Sequence, residues 1–301
     1  MDRFGIQDII SFQYDRPLIW YRNQIVILTS HLDGLRSIAG VPFAIDAFAV
    51  AYITSGECVA EINGNTYTLK VGNIFILSPT HTCRLISPSS DFCLRTLVLD
   101  NSMSSAGTYL TYLTKSERWT HSYFNPGIQP SASEFELMSK CLDRIEEQIL
   151  RTDSANHDSM VRLAVDWHNI ELDSIMKKHF EEWKNTGQKP SRSNSIAQEL
   201  LLHIINNYRT QHMVSFYAEK MCLTPQYLNQ ISGKALGATV SSIISSLLYS
   251  TARSMIISTD MSIQEIASEL SFADQASFSK FFKKMSGYSP ASLRKKQPDS
   301  I

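Results

Sequence analysis

Cysteine is scarce: Cys58, Cys83, Cys93, Cys141 and Cys222 are scattered through 301 residues with no Cys-x-x-Cys pair. That excludes a disulfide framework and a thiolate zinc site. Charge is thin as well, at 19% against roughly 25% in an average globular chain. With 28 basic and 29 acidic residues the net charge is −1, which taken whole signals no polyanionic partner. No run of 18 apolar residues occurs, and the opening MDRFGIQDIISFQYDRP has acids where a secretory signal needs a basic stretch and then an apolar one. The expected compartment is therefore a reducing cytoplasm, with no membrane partner. Neither a Ser-His-Asp order nor a Gly-rich phosphate loop rises above chance, so no catalytic residue is assigned and an enzyme is not expected. The chain does have 43% hydrophobic residues, enough for real cores, and a length that suits about two domains.

The near-zero charge conceals a split. From Lys184 to Ile301 there are 13 basic and 7 acidic residues, a balance of +6, which leaves −7 for Met1–Trp183. Such asymmetry points to an acidic module joined to one that meets nucleic acid or a charged surface. Residues 18–100 contain LIWY, QIVILTS, FAVAYIT, CVAEI, TYTLKV, NIFIL, CRLIS and FCLRTLVL, short β-branched and aromatic runs separated by turn residues. Asn63-Gly64 between two of them predicts a type I′ hairpin, and the set predicts an antiparallel jelly roll.

Beyond about Ser131 the period becomes helical. Phe135, Met138, Cys141, Leu142, Ile145 and Ile149 recur at three and four, giving an amphipathic helix of about 17 residues. A second stripe uses Met160, Leu163, Ala164, Trp167 and Ile170, then Met176, Phe180 and Trp183; these helices either pack on their own β domain or meet a partner helix. The domain reading is a β domain over 1–130, a helical dimerisation segment over 131–184, an apolar-free linker over 185–195 and a helical domain over 196–301 with about seven short helices. The fold class is thus two-domain α+β.

Within the last segment, SFYAEKMCLTPQYLNQISGKALG reads as helix, tight turn, helix. Leu223 plugs the turn, Thr224 caps the second helix ahead of Pro225, and Gly237 ends it. The pattern recurs. Ser262-Ile263-Gln264-Glu265 is a capping box, Phe272 plugs the turn, and Phe278, Phe281 and Phe282 face a core ahead of Lys283, Lys284 and Gly287. Between the units Val240–Ile257 can form one helix of about 27 Å, of the order of the ~34 Å between successive major grooves. In a helix-turn-helix the start of the second helix meets base edges. That face holds Gln226, Asn229 and Gln230 in the first unit, and Gln275, Ala276, Ser279 and Lys280 in the second. Lys234, Lys283 and Lys284 are the phosphate candidates.

Over about 200–296, and above all in SIQEIASELSFADQASFSKFFKKMSGYSPASLRK, the chain closely resembles the DNA-binding domain of AraC/XylS-type bacterial transcription regulators. YITSGECVAEINGNTYTLKVGNIFILSPTHTC is similar to the cupin-like sensor domain that such regulators often carry. The resemblance implies a dimeric, effector-responsive, sequence-specific regulator whose partners are double-stranded DNA, a second copy, a small-molecule effector and RNA polymerase. Three departures stand out: Ser271 replaces a usual Gly before the second-turn Phe, Leu248 a common Arg, and Gln230, Ser232 and Gly233 a basic-Phe-Lys set. The first unit is therefore expected to be the looser and less basic reader. Metal-binding cupins resemble one another in a His-x-His plus Glu set, but SGECVAEING has no His and His81 stands alone. No metal and no cofactor are expected, which weakens the alternative of a cupin-type enzyme with an accessory basic domain. Trp20, Tyr52, His81 and Arg84 are candidates to line an effector pocket, combining apolar bulk with polar tips near strand ends.

Overall fold

The computed structural model describes residues 2–4, 6–11, 18–22, 24–35, 38–79, 81–100, 117–186 and 191–295. Two sheets form the N-terminal module. Strands β1 (Asp2–Phe4), β4 (Phe43–Ile45), β9 (Cys83–Pro88), β6 (Glu57–Ile62) and β7 (Asn65–Lys70) lie side by side in that order. The second sheet runs β11 (Gly127–Ile128), β8 (Ile74–Leu77), β5 (Phe48–Ser55), β10 (Cys93–Leu99), β3 (Ile25–His31) and β2 (Ile19–Tyr21). Pairing is antiparallel throughout except for β1 beside β4. The antiparallel jelly-roll reading therefore holds, and each of the eight expected runs is a strand. The three strands outside those runs, β1, β4 and β11, have only two or three residues and are too short to show a period. Asn63 and Gly64 have φ of 50° and 79°, the two left-handed angles that the hairpin between β6 and β7 needs.

The six-stranded sheet is apolar on both faces. Its inner face meets the other sheet, with Ile53, Phe75 and Leu94 buried against Ala60, Ile62 and Leu85. Its outer face, with Ile25, Val50, Tyr52, Ile74, Leu97 and Leu99, is covered by two helices. Helix α4 (Ala132–Leu150) begins at a full capping box of Ser131 and Glu134 and buries Met138, Leu142, Ile145 and Ile149. Helix α5 (His157–Asn185) returns alongside it. Arg95 on β10 clamps α4 through Asp143 at 2.6 Å and Glu146 at 3.0 Å.

Helix α5 turns inward only part of the expected stripe, Ala164, Met176 and Phe180, and is rotated away from the rest. Val161, Ala164, Val165, Leu172, Ile175 and Met176 are buried, together with the polar His168, Asn169 and Asp173. Leu163, Trp167 and Ile170 are instead 63%, 57% and 45% exposed. A buried network accounts for the rotation: the Tyr52 hydroxyl bonds His168 Nε2, and His168 Nδ1 bonds Asn169 Oδ1 at 3.1 Å. Once satisfied in this way, polar side chains can occupy an interior that a hydrophobic count assigns to their neighbours.

The C-terminal module is a single helical core. After α3 (Glu117–Phe124) and the helices above come α6 (Arg192–Asn207), α7 (Val214–Lys220), α8 (Pro225–Leu236), α9 (Val240–Ser258), α10 (Ile263–Glu269), α11 (Gln275–Ser286) and α12 (Pro290–Lys295). Seven helices thus follow the linker, as expected. Within the stretch 185–195 read as a linker, Ser191 accepts the Asn194 N–H and caps α6, so 192–195 form a helical first turn, while 187–190 lie outside the described residues. By length and composition Val240–Ile257 could cross a membrane, but half of it is buried. Val240, Ile243, Ile244, Leu248, Ala252 and Ile256 supply the centre of the helical core, which accounts for its apolarity. Leu248, found where a basic residue was the family norm, is one of these buried side chains.

The two modules share contacts. Tyr123 of α3 belongs to the helical core while its ring stacks on His81 of the barrel at 4.2 Å. Asn63, at the β6–β7 turn, donates to the Tyr123 hydroxyl at 3.3 Å and lies against Gly237, the C-cap of α8. Asp100, just past β10, pairs with Arg253 of α9, both largely buried.

Candidate nucleic-acid interface and barrel cavity

The two helix-turn-helix units are built on one plan. In each, the first helix ends in a left-handed residue that is not glycine, Cys222 at φ 54° and Ser271 at φ 55°. The next N–H then reaches back to the first helix, from Leu223 to the Ala218 carbonyl and from Phe272 to the Ala267 carbonyl, each at 2.9 Å. This closes the turn with a Schellman-type bond. Thr224 and Asp274 cap the second helices through the Tyr227 and Ser277 N–H groups, and the bond from Ser277 holds the Asp274 carboxyl below its usual pKa. Both second helices end on a left-handed glycine, Gly237 and Gly287. Because 271 follows 222 by 49 and 287 follows 237 by 50, the second turn carries one extra residue.

On α8 the exposed side chains include Gln226, Tyr227, Gln230 and Lys234; on α11 they include Gln275, Ala276, Ser277, Lys280, Lys283 and Lys284, with Ser279 half-buried beside them. Nine of the ten expected contact residues therefore lie on these faces. Asn229 differs, since its Oδ1 accepts the Val240 N–H at 3.1 Å, tying the first reading helix to the start of α9. Tyr227 was not anticipated as a contact. Its place beside Gln226, just inside the Thr224 cap, was the available signal.

The four residues expected around an effector pocket do not converge. The barrel encloses a cavity of about 170 Å³ between the sheets, lined by Leu28, Ser30, Ala51, Ile53, Ala60, Ile62, Cys83, Leu85, Leu94, Thr96 and Val98 among others. Trp20, Tyr52, His81 and Arg84 are not on that wall. Strand parity explains two of the misses, because successive side chains point to opposite faces. Ala51 and Ile53 face the cavity, so Tyr52 between them faces α5. Cys83 and Leu85 face it too, so Arg84 faces outward and pairs with Glu61 at 2.5 Å. Trp20 sits half-exposed on the edge strand β2. His81 is buried outside the cavity: its Nδ1 accepts the Ser78 N–H at 2.8 Å, which leaves the proton on Nε2 to donate to the Tyr123 carbonyl at 2.9 Å. Burial lowers its pKa to about 4. Among the described residues no three His, Cys, Asp or Glu side chains group as a metal site.

Two family models match this chain. The model of an AraC-like ligand binding domain matches residues 42–134, and that of a helix-turn-helix domain matches 217–296. The chain is thus similar in both of its modules to AraC-type regulators. Its relatives include an uncharacterised helix-turn-helix-type transcriptional regulator, YtdP of Bacillus subtilis, 29% identical over 98 residues. That stretch is 32% of this chain and 13% of the relative. Among solved structures it resembles the C-terminal domain of AraT, a response regulator from Geobacillus stearothermophilus, at 26% identity over 36% of this chain and 92% of that one, with a TM-score of 0.34. ToxT from Vibrio cholerae aligns over 92% of this chain and 98% of its own at 13% identity, with a TM-score of 0.37.

Proposed function

We propose that this chain is an effector-responsive, sequence-specific regulator of transcription that works on double-stranded DNA as a cytoplasmic homodimer and is not an enzyme. One observation carries the reading. Two units with the same left-handed turn and the same side-chain-capped, glycine-ended second helix flank a single 19-residue helix. A rigid spacer of about 28 Å suits two reading helices entering successive major grooves. In this reading Gln226, Gln230, Gln275, Ala276, Ser279 and Lys280 meet base edges, while Lys234, Lys283 and Lys284 meet phosphates. Asn229 acts as a strut for α9.

The dimer contact in this proposal is the unpartnered stripe of Leu163, Trp167 and Ile170, spaced by four and three on α5, which meets the same stripe of a second copy. The effector occupies the barrel. Strand β10 links it to the reading helices: Leu94, Thr96 and Val98 line the cavity, and Asp100 beyond them holds Arg253 of the spacer helix. A shift of β10 on binding is thereby felt in the spacing of the two units, and with it in the access of RNA polymerase to a promoter.

Selection of bound fragments from a random DNA pool tests the reading. The expected product is a site with two half-elements about one helical turn apart, bound at least 100-fold more tightly than random DNA. Equal affinity for all fragments would refute it.

A further inference from the structure

The cavity wall is unusual in what it presents to an occupant. Every described residue lining it is uncharged, and nearly all are aliphatic or aromatic. Three polar groups interrupt this surface: the hydroxyls of Ser30 and Thr96 and the thiol of Cys83. Burial pushes the Cys83 thiol up to about 12, so it stays neutral. Ser30 and Thr96 are 4% and 5% exposed. They lie diagonally on adjacent strands, because Ser30 pairs with Leu94 and Thr96 with Leu28, so their hydroxyls open on one patch of wall. Neither hydroxyl bonds to a described residue of the protein, although buried hydroxyls ordinarily find a partner.

Resting on the effector reading above, we infer that the barrel selects a small uncharged molecule with an apolar body and one hydrogen-bonding oxygen, a carbonyl or hydroxyl, received by Ser30 and Thr96. Size sets the upper bound. An apolar cavity of about 150 Å³ accommodates benzene, so a space of about 170 Å³ suits a single ring with a short substituent. Charge sets the chemistry. A carboxylate placed here would lose its water and meet no cation on the described wall, a desolvation that nothing nearby offsets. An oxygen that accepts from Ser30 or Thr96 satisfies groups otherwise left without partners, which a plain hydrocarbon cannot do.

Three ring compounds of matched size separate these contributions: acetophenone, with a carbonyl; cumene, with none; and benzoate, with a charge. Each is titrated into the full-length protein by calorimetry and by thermal melting. Acetophenone is expected to bind roughly tenfold more tightly than cumene, the worth of one hydrogen bond, and benzoate at least about 100-fold more weakly than acetophenone. Thr96→Val keeps the shape and removes a hydroxyl, and Ser30→Ala removes the other. The double variant is expected to bind acetophenone no better than cumene while its affinity for cumene is unchanged. If that variant does not fold, Thr96→Val alone is expected to narrow the ratio by at least threefold.

Benzoate binding as tightly as acetophenone would overturn the inference, as would a double variant that keeps the full preference. Binding of none of the three at millimolar concentration would overturn it too. Anisotropy on the selected DNA site is run in parallel. Loss of DNA recognition refutes the regulator reading whatever the ligands do, whereas intact recognition with no ligand preference refutes only the assignment of ligand class.

Discussion

Where the second helix-turn-helix unit buries Phe282, the first buries Ser232, whose hydroxyl donates to the Ala238 carbonyl at 2.6 Å. The same substitution of small for large runs through the pair: Leu223 against Phe272, Leu228 against Phe278, Ile231 against Phe281. On the outer face Gln230 stands where the second unit has Lys280, and Gly233 where it has Lys283. The first unit also leans on the barrel, with Asn63 against its Gly237 cap and Tyr123 in the shared core. Similar backbones therefore do not make similar readers. The second unit lines its part of the common core with aromatic rings and has the greater share of positive charge on its reading helix, which suits it to hold the DNA backbone. The first shares its core and its cap with the sensor, which suits it to be the reader that an effector tunes.

The sharpest way to break this comparison is through the matched core pair. Phe282→Ala is expected to cost about 3–5 kcal/mol in chemical denaturation. Ser232→Ala, losing one buried hydrogen bond, is expected to cost about 1–3 kcal/mol. Equal losses would mean that the two cores are held alike.

Acid should act on the sensor side. His81 and His168 are buried with their pKa lowered to about 4, against about 6.5 in an unfolded chain. Below pH 6.5 the unfolded chain takes up protons that the folded one refuses, so stability falls as pH drops from 6.5 toward 4. Each histidine is expected to account for up to about 3 kcal/mol of that loss. Urea midpoints measured across this range test it, and His81→Phe, which keeps a ring on Tyr123, should flatten the slope by about half.

On DNA, Lys280→Ala should lose about 1–3 kcal/mol on the preferred site and relax one base pair. Gln230→Ala, at the matched position, should lose less. Lys283→Ala should weaken all sequences alike and lower the salt slope by about one. A salt titration of the three variants on specific and random duplexes separates these outcomes. The smallest effects concern backbone fit. A side chain added at Gly233 meets nothing within 4 Å, so Gly233→Ala should raise stability by about 1 kcal/mol. Ser271→Gly should gain about 1 kcal/mol by relieving its left-handed φ; thermal melting reads both.

Much of the fold was legible because its signals are local. The eight strand runs, the Asn63-Gly64 hairpin, the Ser262 capping box and the Gly237 and Gly287 ends each depend on a few adjacent residues. The duplicated units were legible for the same reason, and nine of ten contact candidates lie on the faces expected of them. Asn229 could not be placed without knowing that the first turn of α9 comes within reach of its carboxamide.

Composition and period alone determined the two-module chain, the charge split between acidic sensor and basic reader, and the order of strands and capped helices, since each is written in neighbouring residues. Tertiary structure decided which side of a strand is inside and which side of α5 is buried. The six-stranded sheet is apolar on both faces, so a period of two distinguishes the faces without saying which one meets the cavity; Tyr52 fell on the other side for that reason. On α5 the apolar stripe of Leu163, Trp167 and Ile170 faces outward because Tyr52 completes the hydrogen bonding of His168. A partner 116 residues away in the chain leaves no mark in the local sequence of the helix.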